Sequence, residues 1–230
     1  MRPAAMHMAD GIINVPVTVI FALVALVLLV LCGAKARADL DERLVPMAGL
    51  TAAFIFAVQM LNFTVLPGVS GHLLGGALAV ALVGPWVGAL CVSIVLIVQS
   101  LLFADGGLTA LGLNITNMAL IGAFVTYGVL RLLLKVLPRT PTGVSVAVFL
   151  TSIVSVMAGA SGFVFEYAIG GTTHMSMGVV AGFMLGAHFL IGLGEGVITA
   201  ATVATVSRTR PDLVYALRGM KPLTGVERAA

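Results

Sequence analysis

Residues 15–34 run for about 20 positions without a charged side chain, the length an α-helix needs to cross a hydrocarbon core roughly 30 Å thick. Inside a bilayer the backbone finds no water, so a spanning segment must satisfy its own N–H and C=O groups as a helix or in a closed barrel. The run does not alternate as a barrel strand would, and others like it follow at 46–63, 72–83, 85–103, 113–136, 142–168 and 177–206, divided by Gly, Pro and charged residues. A chain that is 60% hydrophobic and 9% charged, with mean hydropathy +1.16, does not belong among soluble domains. The expected fold class is therefore all-α: one polytopic integral-membrane domain over residues 1–230 with about seven transmembrane helices.

Orientation follows from the basic residues. Gly84-Pro85 reads as a turn between the third and fourth spans or as a kink in one long span, and charge separates the two. With seven spans and the N-terminus outside, every Lys and Arg of the 12 except Arg2 falls on an inner segment: Lys35, Arg37 and Arg43, then Arg131, Lys135 and Arg139, then the tail. Merging the two spans would place the 131–139 cluster outside. This frame puts the C-terminus inside, His7, His72 and His174 on the outer face, and His188 roughly two to three turns down the last helix. The 207–230 segment is expected to be a solvated basic tail near anionic headgroups. Cys32 and Cys91 lie within apolar runs and read as packing residues rather than a disulfide. The first helix is expected to stay attached, because its apolar run is too long for a secretory h-region and its basic flank comes after it.

Four groups of residues carry possible chemistry. The segment Met6-His7-Met8-Ala9-Asp10-Gly11 precedes the first helix. A histidine second after a free amine chelates well: the amine, the intervening amide nitrogen and the imidazole close adjacent five- and six-membered rings in one plane. A second imidazole from an outer loop, most naturally His72, completes a tetragonal nitrogen set suited to Ni(II) or Cu(II). This chelate needs the chain to start at Met6, by translation there or by removal of residues 1–5. Second, Ser70-Gly71-His72-Leu73-Leu74-Gly75-Gly76 is expected to open the third helix, its glycines admitting a neighbouring backbone. Third, Gln59, Asn62, Asp105, Asn114 and Asn117 are polar groups near the same face, which pair across helices or line a cavity; Asp105 reads as a turn cap. Fourth, His188 and Glu195 share one face of the last helix, as a transit point, proton relay, catalytic dyad or packing pair. Glu166 and His174 are expected in a solvated outer loop.

No Gly-x-x-x-x-Gly-Lys-[Ser/Thr] loop, His-Glu-x-x-His pair or Gly-x-Ser-x-Gly elbow is present, which excludes nucleotide hydrolysis and disfavours membrane proteolysis by this chain. Two alternatives stay open: a membrane-embedded metal-dependent enzyme built on His188 and Glu195, and a scaffold subunit with no ligand of its own.

Taken together, the motifs resemble the CbiM/NikM family of substrate-capture subunits (S components) of energy-coupling-factor cobalt and nickel transporters. The resemblance runs from Met6-His7-Met8-Ala9-Asp10-Gly11 through Met60-Leu61-Asn62-Phe63, Gly71-His72-Leu73-Leu74-Gly75-Gly76 and Asp105-Gly106-Gly107-Leu108-Thr109-Ala110-Leu111-Gly112 to the helix 188–200. Met8 and Ala9 depart from the family's usual Ile-Pro. The resemblance implies a seven-helix subunit whose segment 6–14 tucks into the outer side of the bundle. It further implies Co(II) or Ni(II) as transported substrate, held by Met6, His7 and His72. Asp10, Asn62, Asn114, Asn117, His188 and Glu195 are candidates for a supporting shell or transit. The implied partners are a transmembrane coupling subunit, cytosolic ATPase subunits and a small accessory membrane subunit, with no nucleic acid. The implied place is a bacterial or archaeal plasma membrane, where the ion would supply cobalamin biosynthesis or nickel enzymes. A small-residue stripe, Gly49, Ala53 and Ala57, is a candidate face for the coupling subunit, with packing inside the bundle as the alternative.

Overall fold

A computed structural model describes residues 7–39, 41–42, 44–61, 63–66, 69–138 and 140–218, with the backbone alone for the segments 63–66 and 69–71. Met6 and Asn62 lie outside the described residues, as do residues 219–230 of the basic tail. The chain forms α1 (Val15–Asp39), α2 (Leu44–Gln59), a two-stranded antiparallel hairpin of β1 (Phe63–Leu66) and β2 (Val69–Gly71), α3 (Gly76–Val83) and α4 (Pro85–Leu102). There follow α5 (Leu111–Asn114), a π-helical segment (Ile115–Ile121), α6 (Gly122–Val136), α7 (Pro141–Gly170) and α8 (Met177–Thr209), with 3-10 turns at Pro211–Leu213 and Tyr215–Leu217. The fold is that of a polytopic all-α membrane protein, the hairpin being a small addition.

Five stretches among the described residues are long and apolar enough to cross a bilayer: Val15–Asp39, Pro85–Leu102, the joined α5–π–α6 helix Leu111–Val136, Pro141–Gly170 and Met177–Thr209. Leu44–Gln59 is a shorter apolar helix. The third expected span needs correcting. Residues 72–75 are not helical, and α3 has 8 residues, about 12 Å at 1.5 Å per residue, too short to cross a hydrocarbon core alone. Lipid could not tolerate such a broken segment, and the bundle shields it: every residue of α3 is buried, packed against α2, α4, α6 and α7.

The layers follow residue size. Small and β-branched side chains on α3 and α4 (Ala79, Ala81, Val83, Ala89 and Val92) fill the centre. Val19, Leu23, Leu26 and Val30 on α1 stay exposed, an apolar face suited to lipid tails. Cys32 and Cys91 are buried free thiols, and Cys91 Sγ donates to the Ala48 carbonyl. The start of the tail departs from the solvated expectation: Val214 is fully buried, and the Tyr215 ring lies over Gly84, where an added Cβ would meet ring carbons at 2.7–2.9 Å.

Gly84→Ala should therefore destabilise the detergent-solubilised protein by about 1–3 kcal/mol, seen as a lower thermal midpoint, through overpacking against Tyr215 added to the strain of a Cβ at φ +87°. In a Tyr215→Ala background the same change should cost clearly less, a non-additivity that thermal unfolding of the double variant reads directly.

Candidate metal centre

The amino-terminal segment is held by side chains that have no local reason to be there. Met8 donates its N–H to Asn114 Oδ1 (3.1 Å), while its carbonyl accepts from Asn114 Nδ2 (3.2 Å) and from the Gly107 amide (2.9 Å). One Asn side chain thus pairs with both main-chain groups of a single residue, as a strand neighbour would. Two residues on, Asp10 Oδ1 accepts from the amides of Thr109 (2.8 Å) and Ala110 (3.3 Å) and from the Thr109 hydroxyl, at the start of α5. Ile12 and Gly11 carbonyls accept from Thr172, the Asn14 amide donates to Gly170, and Asn14 Oδ1 caps α1 at Val17. The receiving loop has no room for side chains. A Cβ on Gly107 would lie 2.1 Å from Asp10 Oδ1, and Gly106, at φ +84°, faces the His7 Cβ.

This clasp buries His7 at 7% exposure beside His72 at 6%, their rings 4.7 Å apart and inclined at 67°. His72 Nδ1 lies 2.8 Å from the Leu73 carbonyl; as the donor there, it leaves Nε2 as the nitrogen with a lone pair. His7 Nδ1 sits 3.4 Å from the buried Asp105 Oδ2, so Asp105 contributes a carboxylate beside the imidazole pair. Both histidines line a cavity of about 260 Å³ that also meets Asn114, Asn117, Met118, Met184 and His188. Among the described residues no three His, Cys, Asp or Glu side chains cluster tightly enough to hold a metal. A cation at the imidazole pair therefore needs donors other than such side chains.

The remaining candidates divide. Asn117, on the π-helical segment, lines the cavity and donates from Nδ2 to Glu166 Oε2 at 2.6 Å. Glu166 is fully buried in α7, which corrects the solvated-loop expectation, whereas His174 is exposed as expected. Sequence reasoning missed Glu166 although position 166 lies inside the apolar run read as helix. His188 and Glu195 share a face but not a site. His188 Nδ1 bonds the Met184 carbonyl at the cavity wall, while Glu195 Oε2 accepts from the amides of Leu74 (2.7 Å) and Gly75 (3.2 Å). The dyad expected of an enzyme is not formed. Gln59, fully buried, donates to the Leu74 carbonyl at 2.8 Å, and losing either partner of that turn leaves a buried polar group unmet, a cost of about 1–3 kcal/mol.

The family model described as CbiM, cobalt uptake substrate-specific transmembrane region, matches residues 7–213. The chain belongs to the CbiM family. It is 31% identical to the cobalt transport protein CbiM of Sorangium cellulosum, over 96% of this chain and 99% of that one. It is 36% identical to a protein of Archaeoglobus fulgidus whose name proposes it as a fused nickel transport protein, NikMN, covering 91% of this chain and 68% of the relative. A solved structure described as a transition metal transporter superposes with a TM-score of 0.75 at 26% identity, covering 93% of this chain and all of that one. A truncated form matches with the same TM-score. As a CbiM family member the chain is a multi-pass membrane subunit for metal transport and not an enzyme.

Within this CbiM fold the Asp10 clasp has a defined pH range. The Thr109 hydroxyl bond, chiefly, holds the Asp10 carboxyl below its ordinary value of 3.8; partial burial opposes this and amides of Thr109, Ala110 and Leu108 assist. Because the folded pKa is depressed, its contribution is fully present above that value and lost as pH falls through the lower folded one. Hydrogen exchange should show the Thr109 and Ala110 amides protected until the pH drops below the usual Asp range. Asp10→Ala should remove that protection at every pH.

Proposed function

We propose that this chain is the ion-capturing subunit of an ATP-driven, energy-coupling-factor importer that takes up Co(II) or Ni(II) from the outer face of the membrane. The observation that carries the reading is the His7–His72 pair, two buried imidazoles 4.7 Å apart in a cavity roofed by the amino-terminal segment. In this reading the amine of Met6, the amide and imidazole nitrogens of His7, and Nε2 of His72 supply four nitrogens in one plane, a set that suits Ni(II) and is open to Co(II). Two features of the surroundings support it. Asp105 places a carboxylate beside His7, which favours a dication, and the Met8 N–H is engaged by Asn114, so the backbone of the segment is held in register for chelation.

Asp10, Asn114 and Asn117 hold the segment and the cavity wall, and His188 lines the way inward as a transit residue. Asn62 keeps its supporting role as a proposal from sequence alone. The subunit works with a transmembrane coupling subunit, cytosolic ATPase subunits and a small accessory membrane subunit. The stripe Gly49, Ala53 and Ala57 is exposed on α2, as a face for the coupling subunit requires. With the amino-terminal segment outside and the basic tail inside, the ion enters from the medium of a bacterial or archaeal cell and supplies cobalamin biosynthesis or nickel enzymes.

The test pairs intact-mass analysis with Co(II) and Ni(II) binding on one purified sample. A chain starting at Met6 should bind tightly, and His7→Ala and His72→Ala should each weaken binding at least 100-fold, about 2.7 kcal/mol or more. Unchanged binding in both variants would sink the chelate reading.

A further inference from the structure

The His72 imidazole stands on a segment that is neither helix nor strand. Residues 72–75 are buried, and α3 begins only at Gly76. Backbone groups of such a turn need partners that the segment cannot provide for itself. The partners come from two distant helices. Glu195 of α8 accepts from the Leu74 and Gly75 amides through Oε2, and Gln59 of α2 donates to the Leu74 carbonyl. Glu195 is 1% exposed and Gln59 0%. Gly75 itself adopts φ +82° with its α-carbon against Ile55, where a Cβ would sit 2.8 Å from Ile55 Cγ2. No side chain caps α3 from within that helix's own N-cap residue, so the Glu195 carboxylate closes its amino end from across the bundle.

We infer that Glu195 is a positioning residue for ion capture: by gripping the 74–75 amides it sets the height and direction of the His72 imidazole, which shares the turn and bonds the next carbonyl, Leu73. The inference rests on the metal-capture reading of His7 and His72 and adds to it a specific cause for the His72 pose. Glu195 touches neither imidazole and is not itself a ligand. Its second oxygen, Oε1, and Gln59 Oε1 have no hydrogen-bond partner among the described residues; both residues border a void of about 10 Å³, room for about one water, so the grip adds no cation site of its own. The link ties the ion site to α8, the helix that leads into the folded start of the basic tail.

The test compares Glu195→Ala, Glu195→Gln and Gln59→Leu in the full chain, reading Ni(II) affinity and the ligand-field absorption of the bound ion. A glutamine keeps an oxygen acceptor for both amides. Glu195→Ala should weaken Ni(II) binding at least 10-fold and shift the ligand-field band as His72 leaves its place. Glu195→Gln should restore both to within about threefold of the native protein. Gln59→Leu, which releases the same turn from its other side, should reproduce the band shift, and it decides the matter should Glu195→Ala fail to fold. Equal damage from Gln and Ala would overturn the inference, since the charge rather than the grip would then matter. An unchanged band in Glu195→Ala or Gln59→Leu would overturn it as well. His72→Ala, measured alongside, separates the readings: if it leaves binding intact the capture site is wrong, and if it abolishes binding while Glu195→Ala does nothing, only the positioning role falls.

Discussion

Everything unusual in this protein depends on satisfying backbone groups where water is scarce. An unpaired peptide N–H or C=O away from water costs several kcal/mol, which is why membrane chains are built of unbroken helices. Among the described residues, the segment 7–14 packs beside the buried stretch 72–75, which breaks a helix, and each is made tolerable by side chains sent from elsewhere. Asn114 and Asp10 join the first to the head of α5; Glu195 and Gln59 hold the second between α8 and α2. The two irregular segments carry the two histidines that meet. A regular helix at either place would need no such partners, but it would not lay His7 over His72. Four of the chain's polar side chains, Asp10, Asn114, Gln59 and Glu195, are therefore accounted for by the backbone of the two segments that carry the imidazoles.

The sequence made the architecture legible because the strongest signals were one-dimensional. Apolar runs located the long helices within a few residues, and Gly84-Pro85 marked the α3–α4 break where the structure has it. His7 and His72 were recognisable as partners from chelate chemistry and from resemblance, and the structure brings their rings together. What stayed hidden were features whose cause lies far along the chain. An apolar run does not distinguish a buried extended turn from a helix. The Leu74 amide of the 72–75 turn finds its acceptor in Glu195, 121 positions away. Glu166 reads as a loop carboxylate until Asn117, 49 positions distant, is seen to meet it, and the π-helical segment that carries Asn117 has no local signature at all. The seven-residue spacing of His188 and Glu195 correctly gave a shared face, but one turn of α8 looks into the cavity while another looks at α3, so proximity in sequence did not become a dyad.

Membership of the CbiM family agrees with this division of labour. A transport subunit must hold its cargo and also let it go, and irregular segments held by side chains from distant elements have more ways to open than unbroken helices. The grip of α8 on the His72 turn and the clasp of Asp10 on α5 are the two fastenings that would have to yield. They lie on different elements, so capture and release need not use the same movement.

The most direct test of the central claim is X-ray absorption spectroscopy at the nickel edge of the loaded protein. The account predicts an inner shell of nitrogen donors alone, with outer-shell scattering from two imidazole rings. An inner shell dominated by carboxylate or water oxygens, or one containing sulfur, would contradict it, because the ion would then be held somewhere other than between His7 and His72.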